Sequence, residues 1–219
     1  MMTTQNILTI PDKRFDPDLL LPAVDILKAD GVIAYPTETV YGLGASMFSE
    51  RAVERIFDIK CRQPSNPISV MVNSIQAALQ LTHSVSTQAA TLMKTYWPGP
   101  LTLVFKASAE VPPYLHGTNN KIGVRFPDHA ISTALVTLLQ GAITSTSANR
   151  TGLPAATSAA DVATALANDV DLIIDAGTTS LQVPSTVIDV SGTEMRLLRA
   201  GAISSDDIKA TLKGFTNEQ

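Results

Sequence analysis

The sequence predicts a mixed α/β fold, in which a single domain contains a twisted mixed β-sheet flanked by helices. The chain has 219 residues, which fit one large domain, and neither a repeat nor a low-complexity linker divides it. Its hydrophobic content of 45% is enough for a packed core. Short apolar or β-branched runs alternate with helical patterns early and cluster late, which favours a mixed sheet over a purely parallel one.

The first elements are two helices with a strand between them. A capped helix is predicted over DLLLPAVDILKAD, with proline in its first turn and Gly31 just past its end. The run VIAYP at 32–36 predicts a strand. Ser49 then opens SERAVERIFDIK, whose apolar residues share one helical face. This second helix brings Lys60 to its C-terminal end.

The remaining elements follow from the same two periodicities. The predicted strands are ISVMV (68–72), LTLVF (101–105), IGVRF (122–126), AITS (142–145), DLIID (171–175), STVIDV (185–190) and MRLLR (195–199). The helical patterns lie at about 74–81, 86–96, 129–140, 158–168 and 205–213. We therefore expect a domain over 16–213, preceded by an extension at 1–15 and followed by a flexible tail at 214–219.

Charge and cysteine content exclude several classes of protein. Sixteen Lys and Arg stand against twenty Asp and Glu, so the chain has no overall electrostatic footprint for nucleic acid. Any anion site must be local. Cys61 is the only cysteine, which excludes an internal disulfide and a cysteine-based zinc cluster and favours a cytoplasmic location. The N-terminus resembles no signal peptide, and no apolar run is long enough for a bilayer, so we expect no membrane association.

Two polar segments follow early elements, and each has a plain alternative. AYPTETVYGLG (34–44) carries threonines, a glutamate and two glycines, and by itself it is typical of a strand-to-helix loop. In KCRQPSNP (60–67), Lys60 and Arg62 stand at i and i+2, so in an extended segment both cations can converge on one anion. A solvated charged loop is the alternative. Cys61 is interpreted as a bystander, because no histidine lies near it in sequence.

Two later segments are also candidates. Arg125, between Val124 and Phe126, lies either on the solvent face of a sheet or is held to bind a carboxylate or phosphate. ITSTSANRTG (143–152) holds five hydroxyl side chains and no carboxylate, which suits close approach to an anionic group. In an extended run, one face carries Ser145, Ser147 and Asn149, and the other carries Thr144, Thr146 and Ala148. Arg150 then points away from the site.

Several familiar sites are absent from the sequence. It contains no GxxxxGK[ST] loop, GxGxxG, HExxH or GxSxG. The histidines, His83, His116 and His129, are dispersed without ligand spacing. A nucleotide, if one binds, is therefore not held by a Walker-type loop.

Taken together, the segments resemble the YrdC-like domain family, the threonylcarbamoyl-AMP synthases of tRNA modification. The resemblance follows the chain in order through YPTETVYGLG, the KxR pair of KCRQPSNP, WPGPLT (97–102), VRFP, TSTSAN, PSTVID (184–189) and LLRAGAI (197–203). It implies a single α/β domain with a concave ligand groove. It also implies an enzyme that converts ATP, L-threonine and bicarbonate into threonylcarbamoyl-AMP and pyrophosphate.

The resemblance assigns roles to individual residues. The family's catalytic and nucleotide-binding tetrad falls on Lys60, Arg62, Ser147 and Asn149, its threonine-binding positions fall on Thr37, Arg125, Ser145 and Ser185, and an ATP-contacting arginine falls on Arg199. No prosthetic group is implied. We expect Mg²⁺ to arrive with the ATP phosphates, because the sequence offers no all-protein cage for it. A tRNA or a tRNA-threonylcarbamoyl transferase complex is the expected partner.

The chain departs from the longer members of the family in two ways. Those members carry a histidine in the pattern NPLIVH, where this chain has NPISVM with Met71, and they have an extra C-terminal domain. Both features resemble the short forms, which include the YciO-like subgroup. Two alternatives remain. One is a double-stranded RNA or tRNA-binding module without turnover, although no aromatic platform supports it, and the other is a carbamoyl-adenylate enzyme acting on another amine.

Overall fold

The computed structural model describes residues 7–10, 15–61, 68–166 and 168–213. The strands are β1 Ile7–Thr9, β2 Ile33–Tyr35, β3 Gly42–Gly44, β4 Val70–Met71, β5 Leu101–Lys106, β6 Lys121–Arg125, β7 Ile143–Thr144, β8 Thr146–Ser147, β9 Leu172–Asp175, β10 Thr186–Asp189 and β11 Arg196–Arg199. The helices are α1 Leu21–Lys28, α2 Glu50–Lys60, α3 Ile75–Gln80, α4 Thr87–Tyr96, α5 Pro113–His116, α6 Ala130–Leu139, α7 Ala159–Leu166 and α8 Ser205–Leu212. Short 3₁₀ turns at Pro17–Leu20 and Gly117–Asn119 precede α1 and follow α5. The predicted tail at 214–219 and the side chain of Arg62 lie outside the described residues.

The mixed α/β class is confirmed, but the strands form two sheets where the sequence predicted one. The first has the order β1-β9-β2-β3-β8, and the second has the order β11-β10-β5-β6-β4-β7. Both combine parallel and antiparallel pairs: β2 is parallel to β9 and antiparallel to β3, while β5 is parallel to β10 and antiparallel to β6.

The division into two sheets occurs at the end of one predicted strand, AITS (142–145). Ile143 and Thr144 pair with β4 of the six-stranded sheet, whereas Thr146 and Ser147 pair with β3 of the five-stranded sheet. Ser145 lies between them, and its amide donates to the Ser69 carbonyl at 2.6 Å. The chain therefore passes from one sheet to the other within this single residue.

The strand β3 lies in the stretch that the sequence favoured as a loop. Its two glycines lower intrinsic strand propensity, but they leave room for the aromatic ring of Tyr35 on β2. A Cβ atom on Gly42 would lie 2.7 Å from the ring carbon Cζ, and one on Gly44 would lie 2.9 Å from Cε1. Likewise Ile7–Thr9, placed in the predicted extension, pairs in parallel with β9. Both strands are specified by their neighbours rather than by local composition.

The helices follow the predicted apolar faces closely. In α2 the Ser49 hydroxyl accepts from the Ala52 amide, and Val53 and Ile56 are buried as the periodicity predicted. Cys61 ends α2 in a left-handed conformation with φ of 50°. Met71 is fully buried and packs in a cluster with Tyr35 and residues of α1 and α6. Among the described residues, no helix is long and apolar enough to cross a membrane.

Candidate active site

A groove of about 410 Å³ is lined by residues of both sheets. On the six-stranded sheet, cross-strand register aligns Arg125 with Thr102, and Thr102 with Val187. Since side chains alternate along a strand, these residues share one face. Their neighbours in the groove are Thr37, Val40, Tyr41, Gly42, Ser69, Val104, Asn119, Lys121, Gly123, Ser145, Thr146, Ser147, Pro184, Ser185, Asp189, Leu198 and Arg199.

Arg125 lies on the groove face, so the solvent-face alternative is wrong. The residue is only 5% exposed, and its guanidinium is held on three sides. Nε donates to the Gly99 carbonyl at 3.3 Å, Nη1 donates to Thr39 Oγ1 at 2.9 Å, and Nη2 lies 2.9 Å from Glu38 Oε1. A buried guanidinium in a fixed orientation suits a planar carboxylate or phosphate at the groove.

Thr37 and Ser145 lie near this guanidinium. The Thr37 hydroxyl donates to the Val40 carbonyl at 2.7 Å and lies 2.8 Å from Thr39 Oγ1, so it closes the turn that also positions Thr39. Ser145 lines the groove where the chain changes sheet. The turn that holds Thr39 against Arg125 and the residue at which the chain changes sheet therefore both contribute to the groove.

Ser185 and Arg199 form the wall beyond Thr102. Ser185 Oγ lies 2.9 Å from Thr102 Oγ1, and Arg199 Nη2 donates to Ser185 Oγ at 3.0 Å and to its carbonyl at 2.8 Å. The antiparallel pair of β10 and β11 sets these contacts, because it aligns Val187 with Arg199. Both predicted residues line the groove, and Ser185 fixes the direction of the arginine.

Three of the four predicted tetrad residues come together at the other wall. The Lys60 ammonium, which is buried, donates to the carbonyls of Ser147 at 2.7 Å and Asn149 at 3.0 Å, and to Asn149 Oδ1 at 3.0 Å. Ser147 Oγ also donates to Asn149 Oδ1, at 2.6 Å. Ser147 faces the groove, and Lys60 and Asn149 lie directly behind it. Arg62, the fourth member, falls outside the described residues.

Strict alternation through 143–149 is only partly right. Ser145 and Ser147 line the groove, and Thr144 points away from it, accepting from the Ala45 amide at 2.9 Å. Thr146 also lines the groove, although alternation placed it on the other face. The reason is the change of sheet at Ser145, which rotates the chain and breaks the two-residue period.

Arg150 points away from the site, as alternation predicted. Its Nη2 pairs with Asp169 Oδ2 at 2.8 Å, and its Nη1 donates to the Ile59 carbonyl at 3.3 Å. The next amide, of Thr151, donates to the Lys60 carbonyl at 3.1 Å. The chain after Asn149 therefore fastens the C-terminal end of α2.

Sequence reasoning missed Lys121 and Asp189, which line the groove. Lys121 Nζ lies 2.8 Å from Asp189 Oδ2. Burial acts to raise the pKa of Asp189, but hydrogen bonds from Lys121 and Ser191 outweigh it and hold that pKa below its usual range. The spacing from Lys121 through Gly123 to Arg125 is i, i+2, i+4, which is the signal that strand alternation offered.

Two tyrosines next to the groove are neutral scaffold groups. Burial raises the pKa of Tyr35 to about 12, and its hydroxyl donates to the Thr144 carbonyl at 2.9 Å. Burial also raises the pKa of Tyr41 to about 12, and its hydroxyl donates to the Gly177 carbonyl at 2.8 Å. Within the described ranges, no three His, Cys, Asp or Glu side chains cluster as metal ligands.

Comparison with known proteins identifies the family to which the chain is similar. The family model Sua5_yciO_yrdC, described as "Telomere recombination", matches residues 25–201. The threonylcarbamoyl-AMP synthase of Pyrococcus abyssi is 38% identical over 190 residues, which cover 87% of this chain and 56% of that protein. The Bacillus subtilis synthase is 36% identical over 198 residues, which cover 90% of this chain and 57% of that protein. The chain thus spans little more than half the length of these two relatives.

A shorter relative matches over a larger share of its own length, and two solved structures have the same fold. The threonylcarbamoyl-AMP synthase of Chromobacterium violaceum is 36% identical over 171 residues, which cover 78% of this chain and 88% of that protein. Pyrococcus abyssi Sua5 complexed with L-threonine superposes with a TM-score of 0.90 at 36% identity, over 94% of this chain and 60% of that one. Escherichia coli YciO gives 0.85 at 29% identity, over 94% and 100%. The chain belongs to the Sua5/YciO/YrdC family.

Proposed function

We propose that this protein is an L-threonylcarbamoyladenylate synthase, which makes threonylcarbamoyl-AMP and pyrophosphate from L-threonine, bicarbonate and ATP. One observation carries the proposal: the oriented Arg125 guanidinium and the cluster of Lys60, Ser147 and Asn149 flank a single groove. A relative's structure holds L-threonine, and several relatives are named as this synthase. The reaction needs two anions side by side, and the groove offers donors and cations on both walls.

At one end, the remaining N–H groups of Arg125 would donate to the threonine carboxylate. Thr37, Ser145 and Ser185 would surround the amine and hydroxyl of the amino acid. The amine and bicarbonate first lose water to give N-carboxy-threonine. Binding in a fixed orientation converts its encounter with ATP into an intramolecular approach, which lowers the barrier substantially.

At the other end, the carbamate oxygen would form a bond to the α-phosphorus of ATP, while the bond from that phosphorus to the bridging oxygen breaks and pyrophosphate leaves. Lys60, Ser147 and Asn149, with Arg62, would stabilise the phosphate oxygens, and Arg199 would contact the nucleotide. Lys121, which is paired with Asp189, also lines the groove. Mg²⁺ would enter as part of the ATP substrate. Preorganised charge, rather than an acid or base, is the main contribution of such a site.

The product would be consumed in the cytoplasm by a tRNA-threonylcarbamoyl transferase complex. The direct test is pyrophosphate release with ATP, L-threonine and bicarbonate, each omitted in turn. We expect release only with all three substrates. Release that ignores threonine contradicts the proposal, and release with a different amino acid assigns another amine. Lys60→Ala is expected to lower threonine-dependent turnover by on the order of 10²–10³-fold, as loss of one preorganised charged donor does.

A further inference from the structure

Glu38 contacts Arg125 from behind the groove. Its Oε1 lies 2.9 Å from Arg125 Nη2 and accepts from the Asp128 amide at 3.2 Å. Its backbone carbonyl accepts from the Leu181 amide at 2.9 Å. Glu38 does not line the groove; instead it lines a second pocket of about 630 Å³ together with Asp128. The carboxylate thus contacts the segment 125–128, the backbone of Glu38 is tied to Leu181, and the residue lies outside the lining of the groove.

The contact decides where the guanidinium points. The side chains of Arg125 and Glu38 are 6% and 10% exposed, so water competes little for either charge. The contacts of Nε and Nη1 with Gly99 and Thr39 fix one edge of the guanidinium, and Nη2, which makes no hydrogen bond in the described part of the chain, is held by its ion pair with Glu38. A buried cation without its partner would shift to find another acceptor or water. Misplacement of a ligand-binding group by about 1 Å can cost 10²-fold in rate.

We propose that Glu38 is a positioning residue for the amino-acid substrate, which it affects only through Arg125. This inference rests on the proposed function, because it takes L-threonine as the ligand of Arg125. Glu38 sets the affinity for the threonine carboxylate by holding the orientation of the guanidinium through this buried ion pair. It has no part in holding ATP, because its own contacts are with Arg125, Asp128 and Leu181.

Two substitutions change the length and the charge of the Glu38 side chain separately. Glu38→Asp keeps the charge but withdraws the carboxylate by about 1.5 Å, one carbon–carbon bond. Glu38→Gln removes the charge but keeps an acceptor oxygen for the Asp128 amide, with its amide nitrogen at the position of Oε2, which has no hydrogen-bond partner. Glu110→Asp, at an exposed loop position, is the matched control. KM for L-threonine and for ATP are measured from pyrophosphate release, and L-threonine-induced thermal shifts report binding without turnover.

We expect Glu38→Asp to raise KM for L-threonine at least about tenfold while KM for ATP changes less than about twofold. Glu38→Gln, which removes the counter-ion of the buried Arg125, should raise KM for L-threonine by a similar factor, and Glu110→Asp should match the wild type. Wild-type KM values for L-threonine in Glu38→Asp or Glu38→Gln overturn the inference, as does a parallel rise in KM for ATP. If the wild type neither binds nor uses L-threonine, it is the proposed function that fails, and the inference fails with it.

Discussion

One side-chain oxygen holds two members of the site together. Asn149 Oδ1 accepts from Lys60 Nζ at 3.0 Å and from Ser147 Oγ at 2.6 Å, while Nδ2 donates to the Leu153 carbonyl. An amide is the side chain that accepts on one side and donates on the other without carrying a charge. Asn149 therefore holds Lys60 with a neutral acceptor at a wall that we propose binds phosphate.

Replacing this amide by a carboxylate tests the point. Asn149→Asp would pair a negative charge with Lys60 and set an acceptor against the Leu153 carbonyl. We expect KM for ATP to rise at least about tenfold, with KM for L-threonine nearly unchanged, since a charge-assisted contact is worth about 1.5–3 kcal/mol. Asn73→Asp, at a partly exposed amide that bonds Thr137, is the control. An unchanged KM for ATP would show that Asn149 has no part in holding the nucleotide.

Tyr35 and Tyr41 give the protein a defined response to alkali. Both folded-state pKa values are raised to about 12, above the ordinary value of about 10. The unfolded chain therefore loses these protons first, so their contribution to stability is full below about pH 10 and is lost as pH rises toward 12. Urea unfolding between pH 8 and 11.5 should show the decline, and Tyr35→Phe should lessen it. Equal slopes in both proteins would mean that Tyr35 ionises normally.

At the scale of elements, α2 shows what sequence alone can predict. Its cap at Ser49, its apolar face and Lys60 at its end were all predicted from local residue types, and the structure confirms each as an element of fold. The anchoring of that end was not predictable, because Arg150 reaches the Ile59 carbonyl across 91 residues of sequence. The side of the sheet occupied by Arg125 was undecided for the same reason: it depends on which strands become neighbours.

Loosening the end of α2 should affect Lys60. Arg150→Ala removes the contacts with Asp169 and the Ile59 carbonyl. It also removes a cation near the C-terminal end of α2, where the helix dipole is negative and a positive charge is stabilising. The pair with Asp169 is substantially exposed, so we expect a loss of only about 1 kcal/mol in unfolding free energy. KM for ATP should rise severalfold with KM for L-threonine unchanged. Arg150→Lys should recover part of the stability, and equal effects on both substrates would contradict an anchoring role.

At the scale of the whole molecule, a chain of net charge −4 concentrates cations at one groove. The alternation of elements predicted the mixed α/β class, and the ordered motifs carried the resemblance to the family. The two sheets were not, since nothing in the stretch 143–147 marks the residue at which pairing changes. Local charge within an acidic molecule favours a small anionic ligand over a nucleic-acid backbone.

Ligand-induced stabilisation tests that preference. ATP at about a hundred times its Kd should add about 2.7 kcal/mol, which corresponds to a rise in Tm of roughly 5–10 °C for a domain of this size. L-threonine should add to the shift, and L-valine, which lacks the hydroxyl, should add less. Duplex RNA should leave Tm unchanged at moderate salt. A large RNA shift that disappears steeply with salt, without an ATP shift, would favour an RNA-binding module.

The change of sheet at Ser145 has a consequence for how this protein tolerates variation. Within five residues the chain pairs first with β4 of the six-stranded sheet and then with β3 of the five-stranded sheet. The length of this stretch therefore fixes the register of both pairs. Inserting one residue after Ser145 would shift the following residues by one position relative to β3, so that Ser147 would lose its place opposite Gly42 and another residue would take it. In an insertion library, this stretch should therefore accept changes of composition long before it accepts any change of length.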